Sequence, residues 1–270
     1  MAPMDTTTAR FDVRSADGTS IAVWVEGEGP ALVMVHGSMQ DHTVSAALVG
    51  ELHSDLTAYA MDRRGFGASG DHEAYSLARE FEDVAGVVDE VAARTGGQVA
   101  LWGHSYGASC AMGAANLTGH VSHLLLYEPS LGLGYPPGWI ATYEALVARG
   151  DREGATVLMF RDLLEFTDDQ IDAMRAGPEW PGRIAVAHTL AREARAEESW
   201  VHRPGQFDRI SAPTLLLSGS ESTEEIRRAT HAAAEAIPGA RIHLLHGHAH
   251  IAHRTHPALI AEIVRDFVAD

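Results

Sequence analysis

Short apolar runs recur along the chain, each ended by a polar or glycine-rich turn. Ala31–Val35 runs into His36-Gly37, Thr57–Met61 into Asp62, Val99–Trp102 into Gly103, and Val121–Tyr127 into Glu128-Pro129. Pro213–Leu217 runs into Ser218-Gly219, and Arg241–Leu245 is the last of the series. Runs without polar alternation mark strands buried on both faces. Between them the period lengthens. From about Ser76, residues Phe81, Val84, Val88 and Val91 share one helical face, and from near Pro257 a last helix is expected to turn Leu259, Ile263 and Phe267 inward. Buried strands alternating with helices predict an α/β fold, a mostly parallel sheet flanked by helices. Phe11–Val13 and Ile21–Val25, separated by the turn pair Asp17-Gly18, predict a hairpin that adds antiparallel strands at one edge.

The rhythm breaks between residues 130 and 209. No convincing strand lies there, and the pattern predicts helices at about 140–149, 153–165, 168–175 and 181–196, entered through the turn-rich stretch Leu133-Gly134-Tyr135-Pro136-Pro137-Gly138. An all-helical insertion after the sixth strand is expected to form a lid over the carboxyl edge of the sheet, where open α/β sheets place their ligands. The expected organisation is therefore a core of residues 1–129 and 210–270 with a lid of 130–209.

Gly103-His104-Ser105-Tyr106-Gly107 is the most specific local pattern. It follows a buried strand and precedes a helix rich in small residues (Gly107, Ala108, Ser109, Ala111, Gly113, Ala114, Ala115) that suits close packing on a sheet. G-x-S-x-G in that setting is a nucleophile elbow: the serine sits in a strained turn, and the glycines remove Cβ atoms where strand and helix cross. A serine hydroxyl needs a base to take its proton, and the base needs an acidic orienter. The segment after the last strand, Leu244-Leu245-His246-Gly247-His248-Ala249-His250-Ile251-Ala252-His253, offers four histidines.

With these motifs the chain resembles the α/β-hydrolase family, whose last loop commonly reads G-x-G-H before a small or apolar residue. Aligned on Gly247, the resemblance makes His250 the base, with Ala249 in place of the second glycine and His248 as the alternative. The family's usual acid, an aspartate in G-x-x-D after the penultimate strand, is missing: the segment reads Gly219-Ser220-Glu221-Ser222. A variant of the family carries the acid at the end of the preceding strand, where this chain has Glu128; Glu221 is the second candidate. That placement is similar to the zearalenone-type lactone hydrolases. His36-Gly37-Ser38-Met39 matches the family's H-G-x motif, so the resemblance implies an oxyanion hole made by the backbone amides of Ser38 and Tyr106. Asp62-Arg63-Arg64-Gly65-Phe66-Gly67-Ala68-Ser69 resembles a structural loop of the family.

The implied activity is a serine hydrolase cleaving a carboxylic ester or lactone, without a cofactor. A serine nucleophile argues against the dehalogenase and epoxide-hydrolase chemistries of the family, which use aspartate. Carbon–carbon bond hydrolysis, cofactor-independent oxygenation, natural-product cyclisation and a ligand-binding protein with a relict triad stay open. In the inserted segment, Trp139, Met159, Phe160, Phe166, Trp180 and His188 are candidates to line a pocket for an apolar or aromatic group, with packing among the helices the competing role for each.

Composition narrows the partners. A formal net charge of −17 argues against a nucleic-acid surface, which would need a basic stripe, and disfavours anionic membranes. The expected partner is a small-molecule substrate, and a homodimer is held open. Cys110 is the single cysteine, so no internal disulfide is expected and the thiol should be buried. Met1–Arg10 carries no apolar signal core, and no run is long enough to span a membrane, so a cytoplasmic protein is expected. Six histidines lie between His243 and His256, but no cysteine or carboxylate there completes a ligand set, so no metal is expected.

Overall fold

The computed structural model describes residues 9–201 and 203–269; residues 1–8, most of the segment read above for a signal sequence, lie outside them. The chain runs β1 (Ala9–Arg14), β2 (Ser20–Gly27), β3 (Ala31–Val35), α1 (Ala46–Leu52), β4 (Thr57–Met61), α2 (Leu77–Thr95), β5 (Val99–His104), α3 (Tyr106–Ala115) and β6 (Val121–Tyr127). It continues through α4 (Trp139–Ala148), α5 (Arg152–Leu163), α6 (Asp168–Arg175), α7 (Trp180–Glu198), β7 (Thr214–Gly219), α8 (Glu224–Ala236), β8 (Arg241–Leu245), α9 (Ala252–Thr255) and α10 (Pro257–Ala269). The strands form one sheet in the order β1-β2-β4-β3-β5-β6-β7-β8. β1 and β2 pair antiparallel at the edge, as the hairpin signal predicts, and β3 to β8 run parallel.

The continuous apolar runs are explained by two cores, one on each face. Val33, Val35, Leu101, Leu126 and Leu216 point towards α2 and α3; Leu32, Met34, Trp102, Leu125 and Leu217 point the other way, towards α1 and α10. Successive strand residues face opposite sides, so a strand covered on both sides must be apolar throughout. α2 starts where Ser76 accepts a hydrogen bond from the Arg79 amide and stops at Gly96, left-handed at φ 75°. Cys110 is buried in α3.

The last helix departs from expectation. Its inward stripe is Ile260, Val264 and Phe267, whereas Leu259 is 36% exposed and Ile263 is half-buried. Phe267 is inward as expected, and the other positions of the two stripes lie one residue, about 100°, apart. α10 is apolar on both, and packing against α1 selects the second.

Four helices, α4 to α7, fill the interval between β6 and β7, close to the expected spans, and no described strand interrupts them. They share a third core, built from Trp139, Tyr143, Met159, Phe160, Trp180 and Leu190, into which Met39 projects from the loop after β3. No described helix is long and apolar enough to cross a membrane.

The turn between β5 and α3 tolerates no added carbon. A Cβ on Gly103 would lie 2.6 Å from the Ala108 Cα, and one on Gly107 would lie 2.3 Å from the His36 carbonyl oxygen. Both obstacles are backbone, so Gly107→Ala is expected to destabilise the fold by about 3 kcal/mol, at the upper end for one substitution. A urea midpoint indistinguishable from wild type would contradict this.

Candidate active site

β5 carries Ser105 into a backbone conformation of φ 55°, ψ −126°, one that residues with a Cβ rarely adopt. The turn is held from both sides: the Ser105 amide donates to the Tyr127 carbonyl at 2.9 Å, and its own carbonyl accepts from Ala108 at 2.9 Å. Among the described residues, the non-glycine positions at positive φ are Met39, Ser105, Glu128 and Glu165. Ser105 and Glu128 line one cavity, and Met39 directly follows Gly37 and Ser38, which line it too. Strain of this kind costs roughly 1–3 kcal/mol per residue and clusters where function demands it.

The loop after β3 passes directly over the serine, since a Cβ on Gly37 would lie 3.0 Å from that of Ser105. Its shape is fixed by buried polar partners. His36 donates from Nδ1 to the Gly37 carbonyl at 2.8 Å and accepts the Arg63 amide on Nε2 at 3.0 Å. Arg63 donates to the same Gly37 carbonyl at 3.2 Å and is itself held by Glu80 at 3.1 Å and Glu193 at 2.6 Å. Burial pushes the His36 ring down to about 3, so it stays neutral in that role. Ser38 lines the cavity beside Ser105. Tyr106 is the first residue of α3, so its amide has no intrahelical acceptor. Its side chain turns away, to a 2.6 Å hydrogen bond with the Tyr75 hydroxyl. What Tyr106 offers the site is therefore backbone.

His250 meets Glu128 and not Glu221. Its Nδ1–H donates to Glu128 Oε2 at 2.6 Å, and Glu128 Oε1 accepts the Gly219 amide at 2.7 Å, which leaves neither carboxyl oxygen idle. Glu221 is exposed and, among the described residues, its carboxylate accepts from its neighbour Ser220 alone. His248 packs edge-on to His256 instead, with ring centroids 4.3 Å apart. The loop bearing His250 is clamped by the preceding strands. His104 Nε2 donates to the His250 carbonyl at 2.8 Å; the Tyr127 hydroxyl donates to the Ala249 carbonyl and accepts the Ala252 amide at 3.1 Å. Burial, with the neighbouring histidines, holds the His104 ring well below its ordinary value. Among the described residues the Ser105 hydroxyl takes no hydrogen bond; it faces the cavity that His250 also lines, a geometry that commonly tightens as substrate binds.

His253 completes the packing, its ring 4.2 Å from that of His104. Neither ring nitrogen finds a hydrogen-bond partner among the described residues, and burial pushes it down to about 3. An unfolded histidine titrates near about 6.5. Between those values the unfolded chain binds the extra proton, so this contribution to stability is complete above the unfolded pKa and is lost as pH falls towards 3. His253→Phe is expected to lose less melting temperature than wild type between about pH 7.5 and about pH 5. Equal losses would show that the ring does not titrate in this way.

The cavity measures about 420 Å³ and is roofed by the inserted helices. Met159, Phe160 and Phe166 line it, with Leu163, Met174 and Leu190 beside them. Three of the six candidates do not line it. Trp180 is buried in the helices' own core against Phe160, with the Arg175 guanidinium over its ring, and does not reach the cavity. His188 lies on the outer surface and lines a separate cleft with Glu144 and Arg192. The helical phase is the reason: Arg183, Leu190 and Glu197 lie seven residues apart along the inner face of α7, and position 188 is about 100° from the inward Ala187. Trp139 is also core, stacked on Tyr143.

Arg183, Glu197, Arg254 and Gln40 line the cavity and were not anticipated. The i, i+7, i+14 spacing on α7 was the available signal, legible only once the helix phase is known. Among the described residues, the carboxylate and histidine atoms close enough to hold a metal belong to Asp41, His42 and Asp62, away from the histidine-rich loop. Asp62 there already accepts from Trp24, Ala68 and both nitrogens offered by His42, which accounts for it as structure.

A family model described as "Alpha/beta hydrolase family" matches residues 32–263. Among solved structures, an alpha/beta hydrolase from Sphaerobacter thermophilus DSM 20745 is 33% identical over 95% of this chain and 99% of that one, with a TM-score of 0.80. An esterase from Rhodococcus sp. ECU1013 is 22% identical over 97% of this chain and 98% of its own, with a TM-score of 0.77. The enol-lactonase from Burkholderia xenovorans LB400 is 18% identical over 96% of this chain and 100% of its own, with a TM-score of 0.76. No curated protein matches the chain at a significant level.

Proposed function

This chain belongs to the alpha/beta hydrolase family, and from that membership we propose that it is a serine hydrolase cleaving a carboxylic ester or lactone with an apolar or aromatic group. One observation carries the reading: the strained Ser105, and the His250–Glu128 pair joined at 2.6 Å, open onto the same largely apolar cavity.

The mechanism follows from these groups. Ser105 Oγ attacks the substrate carbonyl while His250 Nε2 takes its proton. Glu128 keeps the imidazole proton on Nδ1 and stabilises the cation that forms. The amides of Ser38 and Tyr106 stabilise the oxyanion, as preorganised donors that need no reorientation when charge develops. Collapse of the tetrahedral adduct gives the acyl-enzyme, and His250 returns the proton to the departing alcohol oxygen. Water then attacks the ester carbon with His250 again as base, the acyl–Oγ bond breaks as His250 returns the proton to Ser105 Oγ, and the acid leaves. The helices between β6 and β7 act as the lid that shapes the acyl or alcohol side and excludes bulk water.

Intact-mass analysis after exposure to a fluorophosphonate tests the reading on wild type and Ser105→Ala. A single adduct on wild type alone, with turnover of p-nitrophenyl esters or lactones, supports it. No adduct on the folded wild type, and no turnover in either class, overturns it.

A further inference from the structure

α7 crosses the whole cavity, and the residues it turns inward differ in character along its length. Arg183 lines one end, Leu190 the middle and Glu197 the other end, a span of about 21 Å at the helical rise. Glu197 is fully engaged, accepting from the hydroxyls of Ser130 and Tyr135. Glu128, the other carboxylate on the cavity wall, is engaged by His250 and Gly219.

The Arg183 end is different. Its side chain is only 6% exposed, and it donates to Glu179 at 3.1 Å and, over a long 3.4 Å, to the Met39 carbonyl beside the oxyanion loop. Arg254, from α9 just beyond His250, also lines the cavity and places one nitrogen 2.7 Å from each Glu179 oxygen. Two guanidinium groups thus share one carboxylate, and that carboxylate is 45% exposed and lies outside the cavity lining. Asp41 acts on Arg183 through space, but the hydrogen bonds its carboxylate accepts come from the amide and hydroxyl of Thr43 and from neither guanidinium. Burial, together with the neighbouring Arg254, holds the Arg183 guanidinium below its ordinary value. Among the described residues, Glu179 is the one carboxylate hydrogen-bonded to either guanidinium, so the two cations share a single direct partner. A buried cation is costly unless its partners are well placed, the one shared here is half in solvent, and the planar guanidinium fork fits a carboxylate through two parallel hydrogen bonds.

We propose that Arg183 and Arg254 form an anion subsite of the catalytic cavity, and that the ester or lactone hydrolysed carries a free carboxylate beside its apolar part. This rests on the hydrolase reading above. A purely structural alternative, in which the arginines only latch α7 to α9 through Glu179, predicts no dependence on substrate charge.

The test compares mono-p-nitrophenyl esters of succinic, glutaric and adipic acids with uncharged p-nitrophenyl esters of matched length. Wild type is expected to favour the best anionic ester, and Arg183→Gln to lower the anionic-to-neutral ratio of kcat/KM by about ten- to a hundredfold, the range of a charged hydrogen bond. Arg254→Gln lowers it less, and Arg183→Lys restores part of it. A second measurement does not depend on turnover: calorimetric binding of succinate, glutarate and adipate to Ser105→Ala, with and without Arg183→Gln. Dicarboxylate binding that requires Arg183, without turnover of any ester, would uphold the subsite and overturn the hydrolase reading. Turnover with the same charge ratio in wild type and Arg183→Gln would overturn the subsite and leave the hydrolase reading standing. An absence of both dicarboxylate binding and charge preference overturns the subsite as well.

Discussion

Ser105→Ala is expected to lower kcat on the best ester by about ten-thousandfold or more, while the protein keeps its fold. The scale is that of a triad whose nucleophile is removed: the covalent route disappears, and oxyanion stabilisation and binding alone remain. Stability should barely change, for reasons specific to this site. The Ser105 hydroxyl takes no hydrogen bond among the described residues, and the bonds that hold the turn, to the Tyr127 carbonyl and from Ala108, belong to the backbone. Alanine bears a Cβ like serine, so the strain at φ 55° is common to both. Steady-state rates, melting temperature and fluorophosphonate labelling should therefore separate cleanly: activity and adduct lost, melting temperature kept. Retention of more than about one per cent of wild-type kcat would mean that another group supplies the nucleophile.

What was legible in the sequence was whatever local chemistry dictates. The buried strands, the edge hairpin and the elbow are written in short stretches whose meaning does not depend on distant residues. Ser105 could be read because glycines at positions 103 and 107 serve a crossing that only backbone contacts explain. His250 needed more, a choice among neighbouring histidines, and the deciding contacts come from β5 and β6: His104 on its carbonyl and Tyr127 on the residues around it. The choice of Glu128 over Glu221 rests in the sequence on the family resemblance, because neither segment alone shows where the loop after β7 travels. The Gly219 amide donates to Glu128, and Glu221 is left facing solvent. Helix phase was the least legible feature. One residue of rotation separates the expected Leu259 stripe of α10 from the Ile260 stripe observed, and about 100° on α7 separates His188, which points outward, from Ala187, which points in. Arg183 and Glu197 escape notice for the same reason, since they look like ordinary surface residues until the face they occupy is known.

Glu128→Gln is expected to lower kcat by about a thousand- to ten-thousandfold, against less than about twofold for Glu221→Gln. The argument lies in what each carboxyl oxygen already does. Oε1 accepts the Gly219 amide at 2.7 Å, and Oε2 accepts the His250 Nδ1–H at 2.6 Å. A glutamine has one acceptor and one donor end. Its NH2 cannot face the Gly219 N–H without opposing two donors, so its oxygen is drawn to that side and its NH2 points at His250. There it meets Nδ1–H, again donor against donor. The ring relieves the conflict by moving its proton to Nε2, which makes Nδ1 an acceptor. In the proposed mechanism Nε2 takes the serine proton, and in that tautomer it cannot. The loss should therefore fall on kcat, with KM nearly unchanged, and the rate of fluorophosphonate labelling should fall with it, because labelling needs the same proton transfer. Nitrogen-detected NMR of the His250 ring would show the proton on Nδ1 in wild type and on Nε2 in the variant. Glu221 has no such leverage: it is exposed, and the hydrogen bond its carboxyl accepts comes from Ser220. If Glu221→Gln were the damaging change, the loop after β7 would have to swing towards His250 during turnover, and Glu128 would be left as a positioning group for Gly219.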